Sequence, residues 1–172
     1  DTGCRVFVDY LASINSPLAQ LIKHYPIKST NIIAHIRKAT QGKVSLPNCH
    51  PFMRELWGKY WAFAHNGDLK DFHPALNGQY LPVGFTDSEA AFCYILQGLR
   101  ERHPYREPQA EILFRSIQDI VADIAGFGTF NFLLSNGDAM FAHCSTDLYW
   151  VQRGYPFSTA KLIDCDMSID FS

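Results

Sequence analysis

The order of elements in this chain predicts an α+β fold, layers of sheet and helix rather than a doubly wound parallel sheet. Two observations carry that reading. Strand-like runs come first, two helices then follow one another directly at 86–103 and 108–126, and strand-like runs return after them. The returning runs, 129–135 and 139–144, are joined by "NGD", and Asn-Gly between apolar runs is the strongest short signal for a tight hairpin.

Each element has a local reason. "CRVFVDYL" (4–11) reads as a strand. Ser16 and Pro17 supply an N-cap and an N1 proline for a short amphipathic helix over 18–25, which Pro26 stops. The Ile-rich "TNIIAHIR" (30–37) reads as a second strand. A stretch without clear periodicity, 38–58, separates it from a third, "KYWAFAH" (59–65), and loops of that length in a domain are often functional. Thr86 and Glu89 form a capping box, and apolar residues at 91, 92, 95, 96 and 99 mark one buried helix face. The next helix ends on Gly126, suited to a C′ position. "LYWVQRG" is a last extended stretch before Pro156, and "LIDCDMSIDFS" alternates. No repeat, low-complexity segment or interdomain linker interrupts the 172 residues, which fit one domain.

Composition removes several function classes. A net charge of −2 argues against binding nucleic acid or an anionic membrane through bulk charge. No apolar run approaches the roughly 20 residues that span a bilayer. The five cysteines are scattered and form no C-x-x-C, so neither a disulfide framework nor a zinc ribbon is indicated. A reducing, cytoplasmic setting follows as the expectation. His35, His50, His65 and His143 lack metal-ligand spacing, and no metal is expected.

Three Asn-Gly pairs occur, and they differ. Asn136-Gly137 has apolar strands on both sides and reads as a hairpin; Asn77-Gly78 lies in a polar loop. Asn66-Gly67, in "FAHNGDL", follows an apolar run but precedes the polar "DLKDFHP". On the residues alone two readings stand. The pair terminates a strand, or it presents two donors to one point. The Asn amide is one donor and the Gly N–H the other, with no Cβ to keep a substrate away. Two such donors make an oxyanion hole.

Three pieces together resemble the class II glutamine amidotransferases, members of the N-terminal nucleophile hydrolases. They are "AHIRKATQG" (34–42), "NCHPF" (48–52) leading to "AHNGDL" (64–69), and "TDSE" (86–89), in the family's order. The resemblance runs over nearly the whole chain. It implies a four-layer α-β-β-α sandwich with mostly antiparallel sheets, here incomplete at both ends. It implies hydrolysis of the side-chain amide of L-glutamine to glutamate and ammonia, without a cofactor. Arg37 would grip the substrate α-carboxylate, as a planar guanidinium pairs bidentately with it. Asp87 would accept the α-ammonium, although an Asp in a first helical turn also complements the helix dipole. Asn66 and Gly67 would form the oxyanion hole, and Thr40 falls beside the glutamine pocket. His65 reads as a packed strand histidine, and His50 as a brace for the long loop. Gln41 and Lys38 depart from the His and Trp common in relatives, on the outer wall of that pocket.

The family's nucleophile is an N-terminal cysteine whose own α-amine is the base. Residue 1 is Asp1, and neither Cys4, Cys49, Cys93, Cys144 nor Cys165 replaces it. The expectation is that this chain lacks an N-terminal segment and is inactive alone. The expected partners are L-glutamine and an unknown ammonia acceptor or partner subunit; homo-oligomerisation is left open. The alternative is a non-catalytic interaction or amino-acid-sensing protein that keeps the glutamine pocket.

Overall fold

A computed structural model describes residues 3–11, 15–25, 27–36, 44–155, 159–161 and 168–169. Its centre is a four-stranded sheet of β1 (Phe52–Leu56), β2 (Lys59–Leu69), β3 (Gly128–Ser135) and β4 (Met140–His143). The strands lie in that order and every ladder is antiparallel. Helices α2 (Asp87–Arg102) and α3 (Ala110–Ala125) pack on one face of the sheet. Helix α1 (Pro17–His24) stands earlier in the chain, and β5 (Ala160–Lys161) pairs with β6 (Ser168–Ile169) near the end. The α+β class and the antiparallel pairing are those the sequence predicts. The helix pair and this sheet account for two of the four layers.

Strand alternation places the core. Phe63 and His65 of β2 register with Leu134 and Phe132 of β3, so these side chains share the helix-facing side. Phe63 stacks on Phe92 of α2 with ring centroids 5.2 Å apart. Ile95, Leu96 and Leu99 of α2 and Ile117, Ile120 and Ile124 of α3 are buried in the same cluster. Apart from Tyr60 and Leu133, the opposite face carries small or polar residues, Ala62, Ala64 and Asn66 on β2 and Asn131 and Ser135 on β3. Segment 27–36 reaches this side of the sheet, where Asn31 Nδ2 donates to Ser135 Oγ at 2.8 Å.

Several expectations need correction. Residues 4–11 and 31–36 join no ladder among the described residues, and 148–154 likewise forms no strand. The supposed loop 38–58 contains β1, and its hairpin to β2 turns at Trp57-Gly58. Both turn residues have positive φ, 58° and 75°, as a type I′ turn requires. Trp57 tolerates this backbone because its ring is held: Nε1 donates to the His103 carbonyl at 3.0 Å. The sequence hid β1 because its central inward side chain is Arg54. That arginine pairs with Glu89, which is 1% exposed. Glu89 therefore completes only half of the capping box. Its N–H donates to Thr86 Oγ1 at 3.2 Å, but its carboxylate turns to Arg54 and to the Gly84 N–H. Gly126 caps α3 in a right-handed conformation (φ −68°), not the left-handed one expected of a C′ glycine. The Ser16 cap of α1 and the Asn136-Gly137 hairpin form as predicted. Among the described residues no helix is long and apolar enough to cross a membrane.

Candidate active site

Asn66-Gly67 does not end its strand. β2 runs on to Leu69, and Asn66, Gly67 and Asp68 pair with Asn131, Phe130 and Thr129. The strand-terminating reading is thus corrected: the partner strand along this stretch is β3, about sixty residues away in the chain. The pair is nevertheless on an open surface: Asn66 and Gly67 are both exposed. Among the described residues the Asn66 side chain has no hydrogen-bonding partner. Ladder parity sets the direction of the Gly67 N–H. In β2 the odd-numbered residues turn their backbone groups toward β1, but β1 pairs only with 59–63. Beyond that point the edge of β2 is taken over by other groups. The His65 carbonyl receives His35 Nε2 at 3.1 Å, and the Leu69 N–H donates to Asp87 Oδ2 at 2.8 Å. The Gly67 N–H lies between these two, facing the same edge.

Gly67 has a packing reason to be glycine. A Cβ there would meet the Thr129 carbonyl oxygen at 1.9 Å and His65 Nε2 at 2.6 Å. That carbonyl leans in because it accepts a hydrogen bond from His65 Nε2 at 3.1 Å. On the other side of the ring, Nδ1 meets Ser88 Oγ at 2.8 Å. A carbonyl can only accept, so Nε2 carries the proton, Nδ1 is the acceptor and the Ser88 hydroxyl donates. His65 is 2% exposed, a packed strand histidine as expected, yet its polar partners are specific. Asp87 occupies the first turn of α2, half-buried, with one oxygen on the Leu69 N–H and the other 3.4 Å from Ser88 Oγ. The structure thus brings Asp87 to the same stretch of β2 that carries Asn66 and Gly67.

The sequence model of the class II glutamine amidotransferases matches residues 1–172. The chain belongs to that family. An Escherichia coli (strain K12) protein named "Putative glutamine amidotransferase YafJ" is 47% identical over 170 residues, 99% of this chain and 67% of that protein. A "Putative glutamine amidotransferase" of Haemophilus influenzae is 53% identical over 171 residues, 99% of this chain and 58% of its own. A 2.0 Å crystal structure of a "predicted glutamine amidotransferase" from Pseudomonas aeruginosa PA01 superposes with a TM-score of 0.70 at 48% identity. The match covers 78% of this chain and 52% of that chain, so the two share a fold over that part. The chain spans roughly half to two thirds of the length of these relatives.

Two of the sequence-predicted site residues, Arg37 and Thr40, lie outside the described residues, as does Cys165. The described segment stops at Ile36, directly before Arg37, just after the His35 contact with β2. Among the other cysteines, Cys93 is fully buried on α2, and burial pushes its thiol up to about 11, so it stays protonated at neutral pH. Cys49 does not form a dyad with His50; its thiol donates to the Ser45 carbonyl at 3.3 Å. Cys4 and Cys144 are exposed. His50 packs between His35 and Phe52, with ring centroids at 4.2 and 4.6 Å, as a brace at the start of β1. Among the described residues no group of three or more His, Cys, Asp or Glu could hold a metal ion. A cavity of about 810 Å³ lies at the opposite end of α2 from Asp87, along Arg102–Gln109, and contains none of the candidate residues.

Sequence reasoning missed Ser88, Thr129 and His35 as neighbours of the Asn66-Gly67 pair. For Ser88 the signal was its place beside Asp87 in "TDSE"; for Thr129 there was none, because only its backbone takes part.

The buried imidazole makes stability depend on pH. Burial lowers the His65 pKa, against smaller upward pulls from the Thr129 bond and the Asp87 and Asp68 carboxylates. Above about pH 6.5 the ring is neutral in both folded and unfolded chains. Below it the unfolded chain binds the proton first, so stability falls with pH by up to about 1.4 kcal/mol per unit, until the folded-state pKa is reached. Burial also lowers the pKa of His143, with the same sign. His65→Gln is expected to flatten, without abolishing, the decline of unfolding free energy between about pH 6.5 and 5. Urea titrations at stepped pH check this; identical slopes in both proteins would refute it.

Proposed function

We propose that these residues form the oxyanion-stabilising and substrate-gripping part of a glutaminase centre. In this reading the complete protein hydrolyses the side-chain amide of L-glutamine to glutamate and ammonia, for an acceptor that another domain or protein binds. The observation that carries the reading is the single stretch of β2 that bears Asn66 and Gly67 and also holds Asp87. An exposed Asn side chain and a Gly N–H stand two to three residues from the Leu69 N–H that holds Asp87. Asn66 Nδ2 and the Gly67 N–H would stabilise the oxyanion of the tetrahedral intermediate. Asp87 would take the substrate ammonium with the oxygen not committed to Leu69. Arg37, which follows the described segment 27–36, would take the α-carboxylate. The nucleophile in this reading is the protein's own N-terminal cysteine, with its α-amine as base.

The experiment is an ammonia and glutamate assay on the full-length protein with its natural N-terminus. Equal amounts of ammonia and glutamate from L-glutamine, and far less ammonia from L-asparagine, support the reading. Saturable glutamine binding with no turnover would transfer it to an amino-acid-sensing protein. Neither binding nor turnover would refute it.

A further inference from the structure

We propose that His65 is a positioning residue for the reaction proposed above, on which reading the inference rests. It fixes the Asn66-Gly67 pair relative to Asp87 and to the segment that leads into Arg37. Three contacts, each to a different part of the chain, meet at this one residue. The ring Nδ1 takes the hydroxyl of Ser88, the neighbour of Asp87 in the first turn of α2. The ring Nε2 donates to the Thr129 carbonyl and so fixes the β3 backbone that lies against Gly67. The main-chain carbonyl receives His35 Nε2, two residues before Arg37.

The geometry explains why an imidazole stands here. Core filling alone would be served by phenylalanine, the residue at neighbouring Phe63 and Phe130. A neutral imidazole offers one donor and one acceptor on opposite sides of a rigid ring, so it can tie β3 to α2 across the buried face of β2. Together with the Leu69–Asp87 bond it makes two links between β2 and the start of α2. These links flank Gly67, so α2 cannot slide or turn about the pair without breaking one. Catalysis is sensitive to such a shift: oxyanion donors must lie about 2.7–3.1 Å from the developing charge, and a displacement of about 1 Å can cost roughly 100-fold.

The test compares Ser88→Ala, His65→Phe, His65→Asn and the double variant Ser88→Ala/His65→Phe in the full-length protein. Each is measured for kcat and KM with glutamine, and for Tm. Ser88→Ala is expected to lower kcat/KM about tenfold or more, while Tm falls by several degrees because His65 Nδ1 loses its buried donor. His65→Phe should lower it at least as far. The double variant should be no worse than His65→Phe alone, because both changes cut the same link. His65→Asn, which keeps a polar atom near the Nδ1 position, should recover part of the loss. If His65→Phe does not fold, Ser88→Ala decides the matter. Wild-type kcat and KM in Ser88→Ala, whatever its Tm, would overturn the inference and leave the glutaminase reading intact, as would losses in the double variant that simply multiply. A wild-type protein that releases no ammonia would instead overturn the glutaminase reading, and this inference with it.

Discussion

Asn66→Ala in the full-length protein is expected to lower kcat for glutamine hydrolysis about 100- to 1,000-fold, the effect of losing one oxyanion donor, or roughly 2.7–4 kcal/mol of transition-state stabilisation. KM should change little, because the oxyanion exists only after attack and not in the bound ground state. Stability should stay within about 0.5 kcal/mol of wild type, because the side chain is exposed and has no hydrogen-bonding partner among the described residues. Steady-state kinetics with a thermal melt on the same sample check all three parts. A large rise in KM, or a kcat within fivefold of wild type, would move the oxyanion hole elsewhere.

Gly67→Ala, one residue on, is expected to behave in the opposite way with respect to folding. The new methyl would stand 1.9 Å from a backbone oxygen, a contact no rotamer change can relieve. Either β3 moves away from β2 or the Thr129 carbonyl swings out and drops its bond to His65. Overpacking of this kind typically costs about 1–3 kcal/mol, and losing a partner of a buried polar group about 1–3 kcal/mol more. A total of about 3 kcal/mol would lower the Tm by roughly 6–12 °C in a domain of this size. Activity should fall as well, because the Gly67 N–H is displaced along with its backbone. A melt at the wild-type temperature would show that β3 yields freely here, and would weaken the packing account of this glycine.

These two neighbours show what a sequence reveals and what it conceals. The polar run Asn66-Gly67-Asp68 looks like the end of a strand because alternation with apolar residues stops there. In the fold the strand continues, and its residues turn polar because they face an open surface. Its partner β3 is remote in sequence, so no local pattern announces it. β1 was hidden by similar physics. Its central inward side chain is an arginine neutralised by a glutamate from α2, and its turn is Trp-Gly rather than Asn-Gly. By contrast, α2 was legible from its Thr86 cap and buried face, and the β3–β4 hairpin from Asn136-Gly137, because those signals are local. The resemblance assigns Asp87 and the Asn-Gly pair to one substrate site on motifs alone. The bond from Leu69 to Asp87 and the histidine between β3 and α2 required the structure.

The most direct measurement is the intact mass of the full-length protein after exposure to a diazoketone analogue of glutamine, followed by peptide mapping. The glutaminase account predicts a single adduct on the N-terminal cysteine, formed quickly and suppressed by L-glutamine. No adduct, or adducts only on the exposed Cys4 and Cys144 with no protection by glutamine, would contradict it.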